Sequence, residues 1–119
     1  MQSMFKENHS FKKRFEESKR IMAKYPGRIP IICERDPRSK DVPDIDRKKY
    51  LVPDDLSIAN FMYVIRKRLK LSPDKSIYLF VNDLVMPATS QLLSLMYSEN
   101  CDEDGFLYIK YAGESTFGA

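Results

Sequence analysis

Apolar residues recur in this chain with two different periods, and the periods mark out its elements. In SFKKRFEESKRIMAKYPG, residues 10–27, the positions Phe11, Phe15, Met22 and Tyr25 follow helical spacing, with Ser18 filling the gap. This stripe predicts a helix packed through its aromatic face, capped by Ser10 and ended by Pro26-Gly27. Ile21 stands beside Met22 and is expected at the edge of the buried face. A shorter helical piece precedes it, divided from it near His9-Ser10. A further helix is expected from an N-cap at Ser57 to Leu69, where Ile58, Phe61, Ile65 and Leu69 form one stripe and Arg66, Lys67 and Lys70 fall mostly off it.

Alternation marks the strands. In RIPIICE, residues 28–34, Ile29, Ile31 and Cys33 point one way and Pro30 and Ile32 the other. Proline has no N–H for a ladder, so one edge of this strand is expected to be bent or unpaired at Pro30. The polar RDPRSKDVPDID reads as a loop, and KKYLVP, residues 48–53, as a short second strand. SIYLFV, residues 76–81, is nearly all apolar and is expected to be central, ending in a turn at Asn82-Asp83. LVMP reads as a small extension, residues 90–97 as a short helix, and FLYIKYA, after a turn at Asp104-Gly105, as the last strand. Two strands, a helix across them and further strands returning to the same sheet describe an α+β fold, and a ubiquitin-like β-grasp fits this order. The expected organisation is a helical extension over 1–27, a β-grasp domain over 28–112 and a tail over 113–119.

Composition narrows the chemistry. With 119 residues, 43% of them hydrophobic, one core and one domain are expected. No run approaches an apolar membrane span, and the first residues lack the apolar stretch of a secretory signal, so a soluble, cytoplasmic protein is expected. The formal charge of +3 is uneven: up to Arg28, eight Lys or Arg stand against three Glu, and the remainder is mildly acidic. Such a basic front suits nucleic acid, an anionic membrane or acidic peptides, or simply a solvated helix face. A nucleic-acid partner is not expected, because Phe11, Phe15 and Tyr25 are assigned to packing and not to stacking between basic residues.

Cys33 and Cys101 form no Cys-x-x-Cys pair, so neither metal nor redox chemistry is indicated; Cys33 is expected buried and Cys101 exposed. His9 is the only histidine and lies in a polar stretch, a poor partner for a catalytic thiol. GxGxxG, GxxxxGK, HExxH and GxSxG are absent, and DEDG reads as a solvated acidic turn and not as a calcium loop. No enzyme and no cofactor are expected.

The blocks FKKRFEESKRI, RIPIICE, DRKKYLVPDDL, FMYVIRKRL, YLFVND and DEDGFLYIKYAGESTFG, in this order, resemble the autophagy-related ubiquitin-like modifiers. This is the autophagy-related protein eight family, which includes the GABA-receptor-associated proteins and the microtubule-associated light chains. The resemblance covers essentially the whole chain. It implies that a cysteine protease cuts after Gly118, beside Phe117, and releases Ala119. E1-like and E2-like enzymes would then carry the Gly118 carboxylate to the amine of phosphatidylethanolamine, placing the protein on the autophagosome membrane. A residue without Cβ suits this chemistry, since it threads narrow active sites and leaves its carbonyl open.

The resemblance also implies that aromatic-x-x-aliphatic peptides of cargo receptors and adaptors add as a strand along Lys49 to Val52. Their aromatic residue would enter a pocket of Glu17, Ile21, Pro30, Ile32, Lys49, Leu51 and Phe106. Their aliphatic residue would enter one of Tyr50, Val52, Pro53, Leu56, Phe61 and Val64. Arg28, Arg47, Lys48 and Lys49 would attract flanking acidic residues, and Arg68 would meet the processing and conjugation enzymes. Residues 77–81 match a surface that docks a helical motif, and equally a plain strand. RDPRSKD is about one residue longer than its family counterpart. The alternative from another class is an unconjugated trafficking or microtubule-binding adaptor that uses the basic helices.

Overall fold

The computed structural model describes residues 3–83 and 86–114. Two helices come first, α1 over Met4–Asn8 and α2 over Phe11–Lys24, followed by β1 over Arg28–Arg35, β2 over Lys49–Pro53 and α3 over Ile58–Leu69. The chain then forms β3 over Ile77–Val81, α4 over Leu93–Asn100 and β4 over Leu107–Gly113. Serines open three of the helices as the sequence predicts for two of them: Ser3 accepts from Lys6 N, Ser10 from Lys13 N and Ser57 from Asn60 N. α3 ends at Lys70, whose left-handed backbone lets its N–H reach the carbonyls of Arg66 and Lys67.

The strands form one mixed sheet in the order β2-β1-β4-β3. β1 and β4 pair in parallel at the centre, and both outer pairs are antiparallel. This is the expected ubiquitin-like β-grasp arrangement. The two faces of β1 are both covered, which explains its alternation of two apolar sets. Ile29, Ile31 and Cys33 join the main core beneath α3, with Phe61, Ile65, Leu107 and Tyr111. Ile32 joins a smaller cluster on the other face with Phe5, Phe106 and Tyr108, against which Ile21 of α2 packs.

The β3 strand corrects the expectation that SIYLFV is central. It is an edge strand, and its outward Tyr78 and Phe80 are only half-buried. An aromatic outer face made the strand read as apolar on both sides. The LVMP extension falls partly on residues 84–85, outside the described residues. The short helix lies at Leu93–Asn100 and not at 90–97, because the chain before it first pairs with the start of α3 through Ile58 N to Gln91 O. The last strand begins and ends one residue later than expected.

A larger correction concerns α2. The stripe of Phe11, Phe15, Met22 and Tyr25 faces solvent, and Ser18, the apparent gap, is the buried residue. The reason lies in the turn before β4. Asp104, expected to be solvated, is fully buried: it accepts from Phe106 N at 2.8 Å and Tyr108 Oη at 2.5 Å, and pairs with Arg14 at 2.5 Å. Ser18 Oγ donates to the carbonyl of the same Asp104. Lys6 reaches Asp102 at 2.5 Å, so both N-terminal helices send polar contacts to one turn, beside the apolar packing of Phe5 and Ile21. α2 therefore turns its polar side inward, and the packing argument against a nucleic-acid partner loses its footing. Phe11 and Phe15 stack on each other at 5.8 Å, with the Arg14 and Lys19 cations over their rings.

Candidate peptide-binding edge

β2 is the strand that the fold leaves at the margin. Cys33 N donates to Lys48 O across the β1–β2 pair, in register with the pairing of Ile31 with Tyr50 and Ile29 with Val52. Lys48, Tyr50 and Val52 therefore bond inward to β1, and the backbone groups of Lys49 and Leu51 face outward. Among the described residues, β2 pairs with β1 alone. The same parity turns the nitrogen of Pro30 away from β2, toward the side where β4 pairing begins only at Ile31. Proline thus occupies the position where no donor is required, as its sequence position suggested.

Side chains of β2 divide between the two faces of the sheet. On the side of the helical extension, a cleft of about 120 Å³ is bounded by Ile21, Pro30, Leu51 and Phe106, with Arg47, Lys49 and Tyr50 completing its wall. Ile32 lies fully buried in the cluster below, in contact with the same Phe106 region. Glu17 stands at the lip, its carboxylate 2.6 Å from Lys49 Nζ. Of the seven residues expected for an aromatic pocket, Ile21, Pro30, Lys49, Leu51 and Phe106 line this cleft, whereas Ile32 is buried and Glu17 is linked to it through Lys49. Arg47, expected only as a contact for acidic residues, belongs to the wall as well.

On the α3 side, Tyr50 and Val52 meet Phe61, and Leu56 packs against the same core. The Tyr50 ring meets Phe61 edge-on at 5.6 Å. Phe61 is fully buried, whereas Val64 and Pro53 are exposed. The Tyr50 hydroxyl is buried without a hydrogen-bond partner among the described residues, and burial pushes its pKa up to about 12.

Cations surround this edge. Arg28 Nη1 donates to the outward carbonyl of Leu51 at 3.4 Å, and Lys48 lies 3.8 Å from the buried Glu34. Arg68 is engaged by Asp46 at 2.9 Å in an exposed pair. A larger cleft, about 570 Å³, lies elsewhere, between the N-terminal helices and the sheet. Its charges pair with one another, Lys6 with Asp102 and Lys110 with Asp83, so it is a polar joint and not an apolar receptor.

Catalytic chemistry finds little support in the cysteines. Cys33 is fully buried, and burial pushes its thiol pKa up, away from the thiolate that a nucleophile needs. Cys101 is exposed, as expected. Among the described residues no group of three or more His, Cys, Asp or Glu side chains could hold a metal, and no helix is long and apolar enough to cross a membrane. Phe117, Gly118 and Ala119 lie outside the described residues.

A family model described as "Autophagy protein Atg8 ubiquitin like" matches residues 13–118. The chain belongs to the Atg8 family. It is 58% identical to Autophagy-related protein 8 of Mycosarcoma maydis over 99% of this chain and 98% of that one. The corresponding protein of Schizosaccharomyces pombe is 56% identical over 99% and 96%. Among solved structures, the crystal structure of Trypanosoma brucei ATG8 superposes with a TM-score of 0.91 at 40% identity, covering 99% of this chain and all of that one. The Atg8 resemblance read from six sequence blocks therefore holds over the full length, and the protein is an autophagy ubiquitin-like protein.

Proposed function

We propose that this Atg8-family protein is a modifier and adaptor, itself without enzymatic activity. A cysteine protease cleaves it after Gly118, and E1-like and E2-like enzymes join Gly118 to phosphatidylethanolamine. It moves thereby from the cytoplasm to the autophagosome membrane, where β2 captures aromatic-x-x-aliphatic peptides of cargo receptors and adaptors. The observation that carries the adaptor half is the outward backbone of Lys49 and Leu51, set between the Ile21–Pro30–Phe106 cleft and the Tyr50–Val52–Phe61 surface. An extended peptide that pairs with this edge sends alternate side chains to opposite sides, which matches a cleft on one face and an apolar surface on the other. Arg28, Arg47 and Lys48 add positive charge for acidic flanks, and Arg68 is the proposed contact for the processing and conjugation enzymes. Family membership and the Thr-Phe-Gly end support the conjugation half.

The test is intact mass after incubation with the family protease, the two conjugation enzymes, ATP and phosphatidylethanolamine vesicles, compared with Gly118→Ala. The expected result is loss of Ala119 and gain of one lipid in the wild type only. Absence of both changes in both proteins would sink the conjugation half. One observation favours a second reading, an unconjugated trafficking or microtubule-binding adaptor: the exposed Phe11–Phe15 stack among basic residues offers a surface independent of Gly118. That reading expects Gly118→Ala to be without effect in cells.

A further inference from the structure

The end of β4 is held by the loop that connects β1 to β2. Gly113 is the last residue of β4, and its N–H donates to Ser39 Oγ at 2.9 Å. Ser39 is fully buried, and its hydroxyl donates in turn to Asp41 Oδ1 at 2.9 Å, so its one proton and an acceptor site are both used. A Cβ built on Gly113 would overlap the Asp41 carboxylate. Among the described residues, Gly27 and Gly105 are the glycines with positive φ, so the backbone angles of Gly113 do not demand glycine. What demands it is the close approach of Asp41.

Docking of the loop does not depend on this contact. Asp36 N already donates to Tyr111 O at 2.8 Å, Tyr111 Oη donates to Pro43 O at 2.7 Å, and Val42 and Ile45 are buried in the core. The Ser39–Asp41 contact adds a hold on the single residue that precedes the exposed Glu114. Gly118 follows Gly113 by five residues, a reach of at most about 18 Å. The position of Gly113 therefore bounds where the carbonyl of Gly118 can go.

We propose that Ser39 and Asp41 form a clamp on Gly113 that sets the exit direction of the C-terminal segment, and so act as positioning residues for reaction at Gly118. This rests on the proposed processing and conjugation. The clamp presents Gly118 to the protease and conjugation enzymes in a restricted set of directions, which lowers the cost of placing it in an active site.

The test measures kcat/KM for cleavage after Gly118 by a family cysteine protease, using the full chain, with peptide affinity at β2 and melting temperature recorded alongside. Ser39→Ala removes both hydrogen bonds of the Ser39 hydroxyl, to Gly113 and to Asp41, and is expected to slow cleavage about fivefold. Gly113→Ala drives a methyl into the carboxylate and is expected to slow it about tenfold or more. Asp41→Ala combined with Gly113→Ala opens that space and is expected to recover part of the loss. Peptide affinity stays at the wild-type value in all three. Wild-type cleavage rates in Ser39→Ala and Gly113→Ala would overturn the clamp while leaving the proposed function standing. Parallel loss of peptide affinity and cleavage would also overturn it, since the residues would then serve general folding. A wild-type chain that is not cleaved overturns the proposed function itself, and the clamp's role with it.

Discussion

The Arg14 guanidinium lies 2.5 Å from the carboxylate of Asp104, which is fully buried, and this pair fastens the helical extension to the turn that opens the last strand. Removing one member of a buried pair leaves the other uncompensated, and here it also strands the Phe106 N–H and the Tyr108 hydroxyl. Asp104→Ala is expected to cost about 3 kcal/mol in urea unfolding. A change below about 1 kcal/mol would show that solvent replaces the pair at little cost.

The neighbouring Gly105 has φ of 91°, and a Cβ there would collide with the Ser18 side chain. Gly105→Ala meets both penalties, a strained backbone and a displaced helix. Its expected cost is more than about 1 kcal/mol. Amide exchange should locate the damage in α2, since Ser18 is that helix's buried contact.

Along β2, the outward N–H of Leu51 is available to a peptide, so its removal should weaken binding without breaking a β1–β2 hydrogen bond. Leu51→Ala shortens the side chain and keeps the N–H; Leu51→Pro removes the N–H. Calorimetry with an aromatic-x-x-aliphatic peptide is expected to give an affinity for Leu51→Pro about tenfold below that of Leu51→Ala. Equal affinities would mean that the peptide is held by its side chains alone.

Tyr50 carries a buried hydroxyl with no partner among the described residues, so Tyr50→Phe is expected to stabilise the fold by about 1 kcal/mol. The effect has a pH signature. Tyrosine in the unfolded chain ionises near 10, whereas burial raises Tyr50 in the fold to about 12. Below pH 10 both states are protonated and the stability is whole. Between about 10 and 12 the unfolded chain gives up the proton and the native state keeps it, so stability falls as pH rises. Denaturant midpoints across this range should fall more steeply in the wild type than in Tyr50→Phe. Identical slopes would mean that the hydroxyl is solvated.

Much of this arrangement is legible in the chain itself, for identifiable reasons. The period-2 split of RIPIICE reports two real cores because β1 lies between α3 and the N-terminal helices. Pro30 marks a gap in pairing because a missing donor is tolerated only where no acceptor waits. The α2 stripe misleads because the contact that docks this helix is polar. Ser18 and Arg14 reach a carbonyl and a carboxylate on a turn that lies about ninety residues away in sequence, and no local period encodes such a partner. Asp104 reads as solvated for the same reason, since its burial depends on Arg14 and Tyr108 arriving from elsewhere. The edge position of β3 is hidden by Tyr78 and Phe80, whose apolar rings imitate a strand covered on both faces.

The sheet order also bears on how the molecule carries load. β2, where a peptide would lie, adjoins β1, which adjoins β4, whose end leads into the C-terminal segment. A pull along the strand direction on such a peptide, resisted at Gly113, would pass through two neighbouring ladders whose hydrogen bonds lie across that direction. Bonds set this way are sheared together and do not peel apart singly. In the proposed conjugated state, the shortest mechanical path between a bound peptide and the C-terminal attachment would thus be backbone throughout, bypassing α3, α4 and the N-terminal helices.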